Sequence, residues 1–343
     1  MRIFCYDRKK RVVKLNSFWK KSLAAAALSL LALFLVSCGN PDDSQGEIEV
    51  HIGYFPNVTH PQALVMKEDG SLEKALEGQA SVEWVSFNAG PAEVEALFAG
   101  DIDIGYIGPV PAVNANVKSK GEVRIIAGAT QAGAILVRRQ GTDISSVKDL
   151  DGKKVAVPQF GNTQHLSLLH LLSENGLKPV SDGGTVEVVA VANADVGNMM
   201  DQGNIDAALV PEPWGATLCS KGAEMVLNEN EIYLEGNYSV AVVVVRKEFQ
   251  EEHPEIVKAF LEQHENATLY INDNLEEACG KVNAQIYEAT KKKLEDAILE
   301  EAFTRIKVDA AVNKDSIDGF SEIGLEEGFI SQLPEADIIE EVE

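Results

Sequence analysis

Two short stretches place neutral hydrogen-bond donors where an apolar strand gives way to an apolar helix. The first, YFPNVTH, contains Asn57, Thr59 and His60, and the second, VPQFGNTQH, spans residues 157–165. The start of a helix leaves backbone N–H groups without intrahelical partners and carries a partial positive charge. Neutral donors at such positions predict a binding site for an oxyanion that needs no Lys or Arg.

The predicted ligand-binding residues are mostly polar side chains near predicted strand ends. They are Phe55, Asn57, Thr59, His60, Asn88, Gly108, Gln131, Asn162, Thr163, Gln164, His165, Glu212 and Trp214. We expect the two aromatic residues to pack on the apolar end of a ligand, and Glu212 to accept from a ligand amine or from His165. The alternatives stay open at this point: Asn and Thr are common helix caps, and the aromatic residues can belong to the core.

Motifs for covalent or metal chemistry are absent from the sequence, which has no G-x-S-x-G, H-E-x-x-H, P-loop or G-x-G-x-x-G. His60, His165 and Glu212 are the residues that would have to meet on a metal or act as acid and base. The Asn, Thr and Gln around them are weak metal ligands. We therefore expect no enzyme, no cofactor and no metal, and a secreted enzyme using these three residues is the less favoured hypothesis.

The N-terminus has the pattern of a secretory signal. Eight Lys or Arg and one Asp precede the apolar run SLAAAALSLLALFLVS, and Cys38 follows it. The predicted signal peptide is 1–37, with LVSC resembling a bacterial lipobox, and 38–47 is a flexible tether. A lipid on Cys38 would hold the protein outside the cytoplasmic membrane; the alternative is an uncleaved anchor.

The charge of the chain excludes several partners. The net charge is −24, and removing eight basic residues and one acidic residue with the leader makes it −31. Such a charge argues against nucleic acid and against anionic membrane surfaces. Of the cysteines that remain beyond Cys38, Cys219 and Cys279 are far apart in sequence, and we expect two free buried thiols.

Strand and helix patterns alternate and then repeat, which predicts two α/β lobes with ligands at the carboxyl ends of their strands. FAGDID and DQGNID each lead into a small-residue strand and then a Pro-containing loop. The predicted first lobe is 48–137 plus 237–343, and the second is 138–236. The runs at 133–139 and 238–249 are expected to pair and to connect the lobes.

Three segments resemble the solute-binding proteins of ABC importers, in the aliphatic sulfonate, taurine and nitrate group. They are FNAGPAEVEALFAGDIDIGYIGPVPAV, VKDLDGKKVAVPQFGNTQHLSLLHLLSENGL and GNIDAALVPEPWGATL. The resemblance covers about residues 48–335. It implies a type II periplasmic-binding fold, α/β with parallel-dominated sheets in two lobes joined by two crossover strands.

The same resemblance implies a function and partners. The ligand would be a small-molecule anion, an aliphatic sulfonate first, delivered to an ABC permease and its ATPase. The alternatives are a thiamine-pyrimidine precursor, riboflavin or nitrate.

Overall fold

Strands and helices alternate in the computed structural model, which describes residues 48–334, 337–340 and 342. The predicted signal peptide, the lipidation site Cys38 and the tether lie outside the described residues. Within these ranges, no helix combines the length and the apolar character that crossing a membrane requires. Cys219 and Cys279 are both free, as predicted, and both are half-buried.

The strands are short and rich in β-branched residues, as the sequence predicts. They are β1 (Ile48–Tyr54), β2 (Ala80–Ser86), β3 (Ile104–Ile107), β4 (Val123–Ala132), β5 (Ala134–Arg138), β6 (Lys154–Val157), β7 (Glu187–Ala190), β8 (Ala207–Pro211), β9 (Glu224–Leu227), β10 (Ser239–Arg246) and β11 (Ile306–Val308).

Helices cover the sheets on both sides and fill the C-terminal third. They are α1 (Pro61–Asp69), α2 (Ser71–Ala75), α3 (Gly90–Ala99), α4 (Pro109–Ser119), α5 (Thr163–Glu174), α6 (Asn193–Asp201), α7 (Trp214–Ser220), α8 (Lys247–Glu252), α9 (Pro254–Asp273), α10 (Leu275–Thr290), α11 (Asp296–Phe303) and α12 (Lys314–Glu326). Short 3-10 turns lie at Val147–Leu150, Val180–Asp182, Glu229–Glu231 and Leu234–Gly236.

Two sheets organise the described chain. The first has the order β11-β4-β10-β3-β1-β2 and the second has the order β7-β6-β8-β5-β9. The pairs β1–β2, β1–β3, β6–β7 and β6–β8 are parallel, and the pairs that involve β4, β5 and β10 are antiparallel. The parallel βαβ units therefore sit beside antiparallel strands in both sheets, and the sheets are mixed.

The chain changes sheet earlier than the predicted lobe boundary at 138. β4 lies in the first sheet and β5 in the second, so the change falls at Gly133. Gly133 has φ 77°, and a Cβ there would stand 2.4 Å from Ile306 Cγ2, so only glycine fits this turn. The return lies between Leu227 and Ser239, a span that includes the predicted position 237.

The pairing expected between 133–139 and 238–249 is wrong. β10 pairs with β3 and β4, whereas β5 pairs with β8 and β9. Both runs contain an uninterrupted apolar stretch, and such stretches fit any central position of a sheet. The two crossings nevertheless meet, because Ala132 N donates to Tyr238 O at 2.8 Å.

The C-terminal helices pack against both sheets. Phe260 and Ile271 of α9 and Val282 of α10 belong to the core of the first sheet. Phe320 and Ile323 of α12 instead pack among residues of the second sheet. The segment after 237 therefore covers the first sheet mainly. It also contacts the elements of the second sheet through α12, through α11, which packs on α7, and through Arg305, which pairs with Glu212.

Candidate ligand-binding cavity

A small cavity of about 30 Å³ lies where the carboxyl ends of parallel strands from both sheets meet. This is the place at which open α/β sheets bind ligands. Its lining comes from the loops after strands and from the helix starts that follow: Phe55, Asn57, Thr59, His60, Asn88, Ala89, Gly90, Gly108, Pro111, Pro158, Asn162, Thr163, Gln164, Asn193, Pro211 and Val240.

The loop between β1 and α1 is held by its own side chains. Asn57 Oδ1 accepts hydrogen bonds from Thr59 N at 3.0 Å and from Thr59 Oγ1 at 2.5 Å. These two bonds fix the side-chain amide of Asn57, and its oxygen is occupied by donors of the protein. Asn57 Nδ2 has no acceptor within the described part of the chain and presents both its N–H groups as donors.

His60 is a neutral donor in this loop. Its Nδ1 accepts from Phe55 N at 3.1 Å, and its ring stacks on that of Phe55 with centroids 4.4 Å apart. Burial lowers the pKa of His60 to about 3. The imidazole is therefore uncharged at neutral pH, and its ring proton lies on Nε2.

The loop between β6 and α5 repeats this arrangement. Asn162 caps α5, because its Oδ1 accepts from His165 N at 2.9 Å. Asn162 Nδ2 donates to Gln164 Oε1 at 3.2 Å. The oxygens of both amides are again occupied within the loop, and Gln164 Nε2 and the second N–H of Asn162 are left as donors.

A hydroxyl without a partner completes the lining. Thr163 is 3% exposed, and among the described residues its Oγ1 has no hydrogen-bond partner. It faces Gly108 at the start of α4, where an added Cβ would stand 2.5 Å from Oγ1. Buried polar groups are nearly always paired in proteins, so this hydroxyl is placed to meet a ligand atom.

Backbone N–H groups add to these donors. The helices α1, α3, α4 and α6 all begin at the cavity, and none receives a side-chain hydrogen bond from its N-cap residue. Prolines occupy some of these first-turn positions and carry no N–H, but the other first-turn N–H groups and the partial positive charges of the helix starts remain available to an anion. The cavity lining contains no Asp, Glu, Lys or Arg.

A wider cavity of about 560 Å³ opens beside the small one and shares Phe55, Asn57 and Asn88 with it. Phe87 and Trp214 supply aromatic surface there, and Lys292 is the charged side chain in its lining. The full lining consists of Phe55, Pro56, Asn57, Ser86, Phe87, Asn88, Ala89, Ala92, Pro158, Gln159, Ala192, Asn193, Ala194, Trp214, Thr290 and Lys292. The arrangement suits a ligand with a compact polar head and a less polar extension.

Most of the predicted binding residues line the small cavity, and four do not. Trp214 lines only the wider cavity. Gln131 is buried, and its side chain donates to Asp309 Oδ2 at 3.0 Å and accepts from Asn313 Nδ2 at 3.2 Å. Its amide therefore ties β4 to the segment after β11.

His165 lies behind the second loop. Its Nδ1 accepts from Gly161 N at 3.1 Å, and its ring packs between Phe160 and Phe329 with centroids 5.0 Å from each. Burial lowers the pKa of His165 to about 4, so the ring is neutral. Its role here is to shape the loop that presents Asn162.

Glu212 is fully buried and ion-paired rather than directed at a ligand. Its Oε1 lies 2.5 Å from Arg305 Nη1, and its Oε2 accepts from Ala216 N at 2.9 Å. His60, His165 and Glu212 therefore do not converge in the cavity, and the geometry offers no acid–base set or metal site built from these three.

Asn193 is a lining residue that the sequence reasoning missed. It opens α6 directly after β7, the same strand-to-helix position as Asn88 and Asn162. Its Oδ1 is buried without a hydrogen-bond partner among the described residues. The apolar lining residues Pro111, Pro158, Pro211 and Val240 carry no donor that a search for hydrogen-bonding residues would detect.

Comparison with known proteins identifies the family of this chain. Residues 43–286 match the sequence profile of the NMT1-like family. The chain belongs to this family. Among similar proteins, the taurine-binding periplasmic protein of Escherichia coli is 36% identical over 58% of this chain and 59% of its own length, so less than two thirds of that relative is matched. A putative aliphatic sulfonates-binding protein of Bacillus subtilis is 29% identical over 73% of each chain.

Solved structures agree on the fold of this NMT1-like protein. The alkanesulfonate-binding protein SsuA from Xanthomonas axonopodis pv. citri, bound to MOPS, aligns with a TM-score of 0.72 at 18% identity. The alignment covers 85% of this chain and 98% of that one. The nitrate-binding protein NrtA from Synechocystis aligns with a TM-score of 0.70 at 16% identity over 85% and 84%. The fold is that of periplasmic binding proteins, as predicted.

Proposed function

We propose that this protein is the extracytoplasmic solute-binding component of an ABC importer and that it binds a small oxyanion, an aliphatic sulfonate. The observation that carries the proposal is the orientation of the cavity amides. Asn57, Asn162 and Gln164 all have their oxygens occupied by protein donors, so the groups that these three amides leave for a ligand are N–H donors. Uncapped helix starts add backbone donors with the same preference for negative charge.

The adjoining wide cavity supports an organic sulfonate over a bare ion. A sulfonate head would sit among the donors of the small cavity, and its aliphatic part would extend toward Phe55 and Trp214. The relatives named for taurine and aliphatic sulfonates support the same ligand class. Nitrate is the second candidate, because a cavity of about 30 Å³ suits a compact ion that has no extension.

The test is calorimetric titration of the full chain, purified in detergent, with ethanesulfonate, taurine, nitrate, riboflavin and a thiamine-pyrimidine precursor. Ethyl methyl sulfone is a matched neutral control, because it keeps the shape of ethanesulfonate without the charge. We expect ethanesulfonate to bind and the sulfone not to bind. Binding of riboflavin or the pyrimidine with no response to any sulfonate would overturn the ligand assignment.

The ligand would act by closing two lobes, one built on each sheet, about the crossings at Gly133 and between Leu227 and Ser239. A ligand that contacts both lobes only when they are closed shifts the equilibrium toward that form. Small-angle scattering should show a smaller radius of gyration with ligand. An unchanged radius at saturating ligand would contradict closure.

The proposal has two further parts: the protein binds its ligand without reacting with it, and a lipid attaches the protein to the membrane. The ligand should be recovered unchanged after long incubation, and any turnover would favour the enzyme hypothesis. A lipid on Cys38 would keep the protein beside its permease and ATPase at the outer face of the cytoplasmic membrane. Cys38→Ser should release the protein from the membrane fraction, and retention of the variant there would indicate an uncleaved anchor.

A further inference from the structure

A histidine and two glutamates meet on neighbouring strands of the first sheet, outside the cavity lining. Glu49 and His51 are two residues apart on β1 and point to the same face, and the parallel register places Glu83 of β2 beside His51. His51 Nε2 lies 3.8 Å from Glu49 Oε2 and 3.7 Å from Glu83 Oε2. The cavity lining begins beyond Tyr54, the last residue of β1, and includes none of these three residues.

A buried carboxylate fixes the orientation of this histidine. Asp103 is 5% exposed, and its Oδ2 accepts from His51 N at 2.9 Å and lies 3.4 Å from His51 Nδ1. Its Oδ1 is in turn held by Arg246 Nη2 at 2.7 Å. The contact between Nδ1 and Asp103 orients the ring so that Nε2 points to the two glutamates. This is the arrangement in which a second carboxylate orients a metal-binding histidine.

The three groups that converge are all electron-pair donors. An imidazole nitrogen and carboxylate oxygens are both common ligands of transition metal ions, and the three ligand atoms lie within 4.8 Å of one another. Ligands bound at about 2.0–2.2 Å in a tetrahedron stand roughly 3.3–3.6 Å apart. The observed separations of 3.7 and 3.8 Å exceed this by only a few tenths of an ångström. One nitrogen and two oxygens favour Zn²⁺ over Mg²⁺ or Ca²⁺, which prefer oxygen alone.

We propose that Glu49, His51 and Glu83 form a binding site for a divalent transition metal ion, Zn²⁺ in particular, with water in the fourth position. The glutamate side chains are 58% and 56% exposed and that of His51 is 30% exposed, so the ion enters from solvent. β2 is the edge strand of the first sheet. The ion would join this edge to β1 and stabilise the fold independently of the anion.

The experiment is a zinc titration of the full chain, purified in detergent and stripped with a chelator, in competition with a chromophoric chelator. We expect one equivalent bound by the unmodified protein. His51→Ala should abolish this binding, and Glu83→Gln should weaken it at least about tenfold, the range that follows loss of even an outer partner of a metal site. Zinc should also raise Tm for the unmodified protein and not for His51→Ala.

Matched controls separate this site from other histidines and acids. His170 is half-buried beside Tyr233, and the carboxylate of Glu251 lies 3.8 Å from Lys247 Nζ. Both residues are remote from the proposed zinc site in sequence. His170→Ala and Glu251→Gln should bind zinc as the unmodified protein does. Glu83→Gln preserves side-chain size, so it tests the site even if His51→Ala misfolds. The proposal would be overturned if the unmodified protein bound no zinc, or if His51→Ala and Glu83→Gln bound zinc with the same affinity as the unmodified protein.

Discussion

Replacing Thr163 by Val should have opposite effects on stability and on binding. Its hydroxyl is buried at 3% exposure without a hydrogen-bond partner among the described residues, and Val has nearly the same shape. Leaving a buried hydroxyl unpaired costs about 1–3 kcal/mol. We therefore expect the free energy of unfolding without ligand to rise by about 1 kcal/mol, the lower end of that range.

Binding should weaken in the same variant. A hydrogen bond to a charged group contributes about 1.5–3 kcal/mol. Losing the bond from Thr163 to a sulfonate oxygen should therefore raise Kd about 10- to 150-fold, since about 1.4 kcal/mol is one decade. Urea unfolding measures the first effect, and calorimetric titration with ethanesulfonate measures the second.

Thr130→Val is the matched control, because Thr130 is 1% exposed and its hydroxyl donates to Thr59 O at 2.7 Å. Removing that donor should destabilise the free protein by about 1–3 kcal/mol. Destabilisation of Thr163→Val to the same extent would show that its hydroxyl has a structural partner. Unchanged ethanesulfonate affinity in Thr163→Val would show that the hydroxyl does not contact the ligand. Either result would refute the reasoning.

Four further predictions concern the cap, a buried acid, the buried ion pair and salt. Asn162→Ala should weaken ethanesulfonate binding and, because Asn162 caps α5, lower stability by about 1 kcal/mol in urea unfolding; unchanged stability would contradict the cap. Glu93 is fully buried with both carboxylate oxygens unpaired among the described residues, and burial raises its pKa well above the usual range. The carboxyl is then neutral when folded and ionised when unfolded, so its contribution to stability falls by about 1.4 kcal/mol per pH unit as pH rises toward the folded-state pKa. Glu93→Gln should reduce this slope in urea unfolding at pH values above the ordinary carboxyl pKa, and an unaltered slope would contradict the assignment. Arg305→Met leaves the buried Glu212 carboxylate without its cation and should cost about 3–5 kcal/mol, most of it recovered by adding Glu212→Gln; additive losses would argue against coupling. Because the small cavity has no lining Lys or Arg, added salt should leave the Kd for ethanesulfonate nearly unchanged or lower it, and a collapse of affinity would indicate a basic site.

Local patterns in the sequence predicted the elements and most of the cavity. A strand that runs into Asn, Thr and His and then into an apolar helix predicts a strand–loop–helix unit, and β1–α1 and β6–α5 both have this form. In an α/β sheet the loops after parallel strands share one edge. Asn57, Thr59, His60, Asn162 and Thr163 could therefore be assigned to one site before any contact was known.

Only the tertiary structure decided which neighbours of these residues face the cavity. Glu212 stands between two prolines in a loop at the correct edge, yet Arg305, 93 residues later, holds it in a buried ion pair. Gln131 is bound by Asp309 and Asn313 in the same way. Such partners come from segments remote in sequence, so no local pattern indicates them.

The crossing between the sheets was decided by the same kind of contact. The run at 133–139 is apolar as far as Val137, and such a stretch fits a central strand of either sheet. The turn at Gly133 and the pairing with β8 and β9 place it in the second sheet. The sequence by itself therefore determined the strand, the helix start and the neutral donors. The choice among equally apolar neighbours, and among alternative partners for a buried charge, depended on long-range packing.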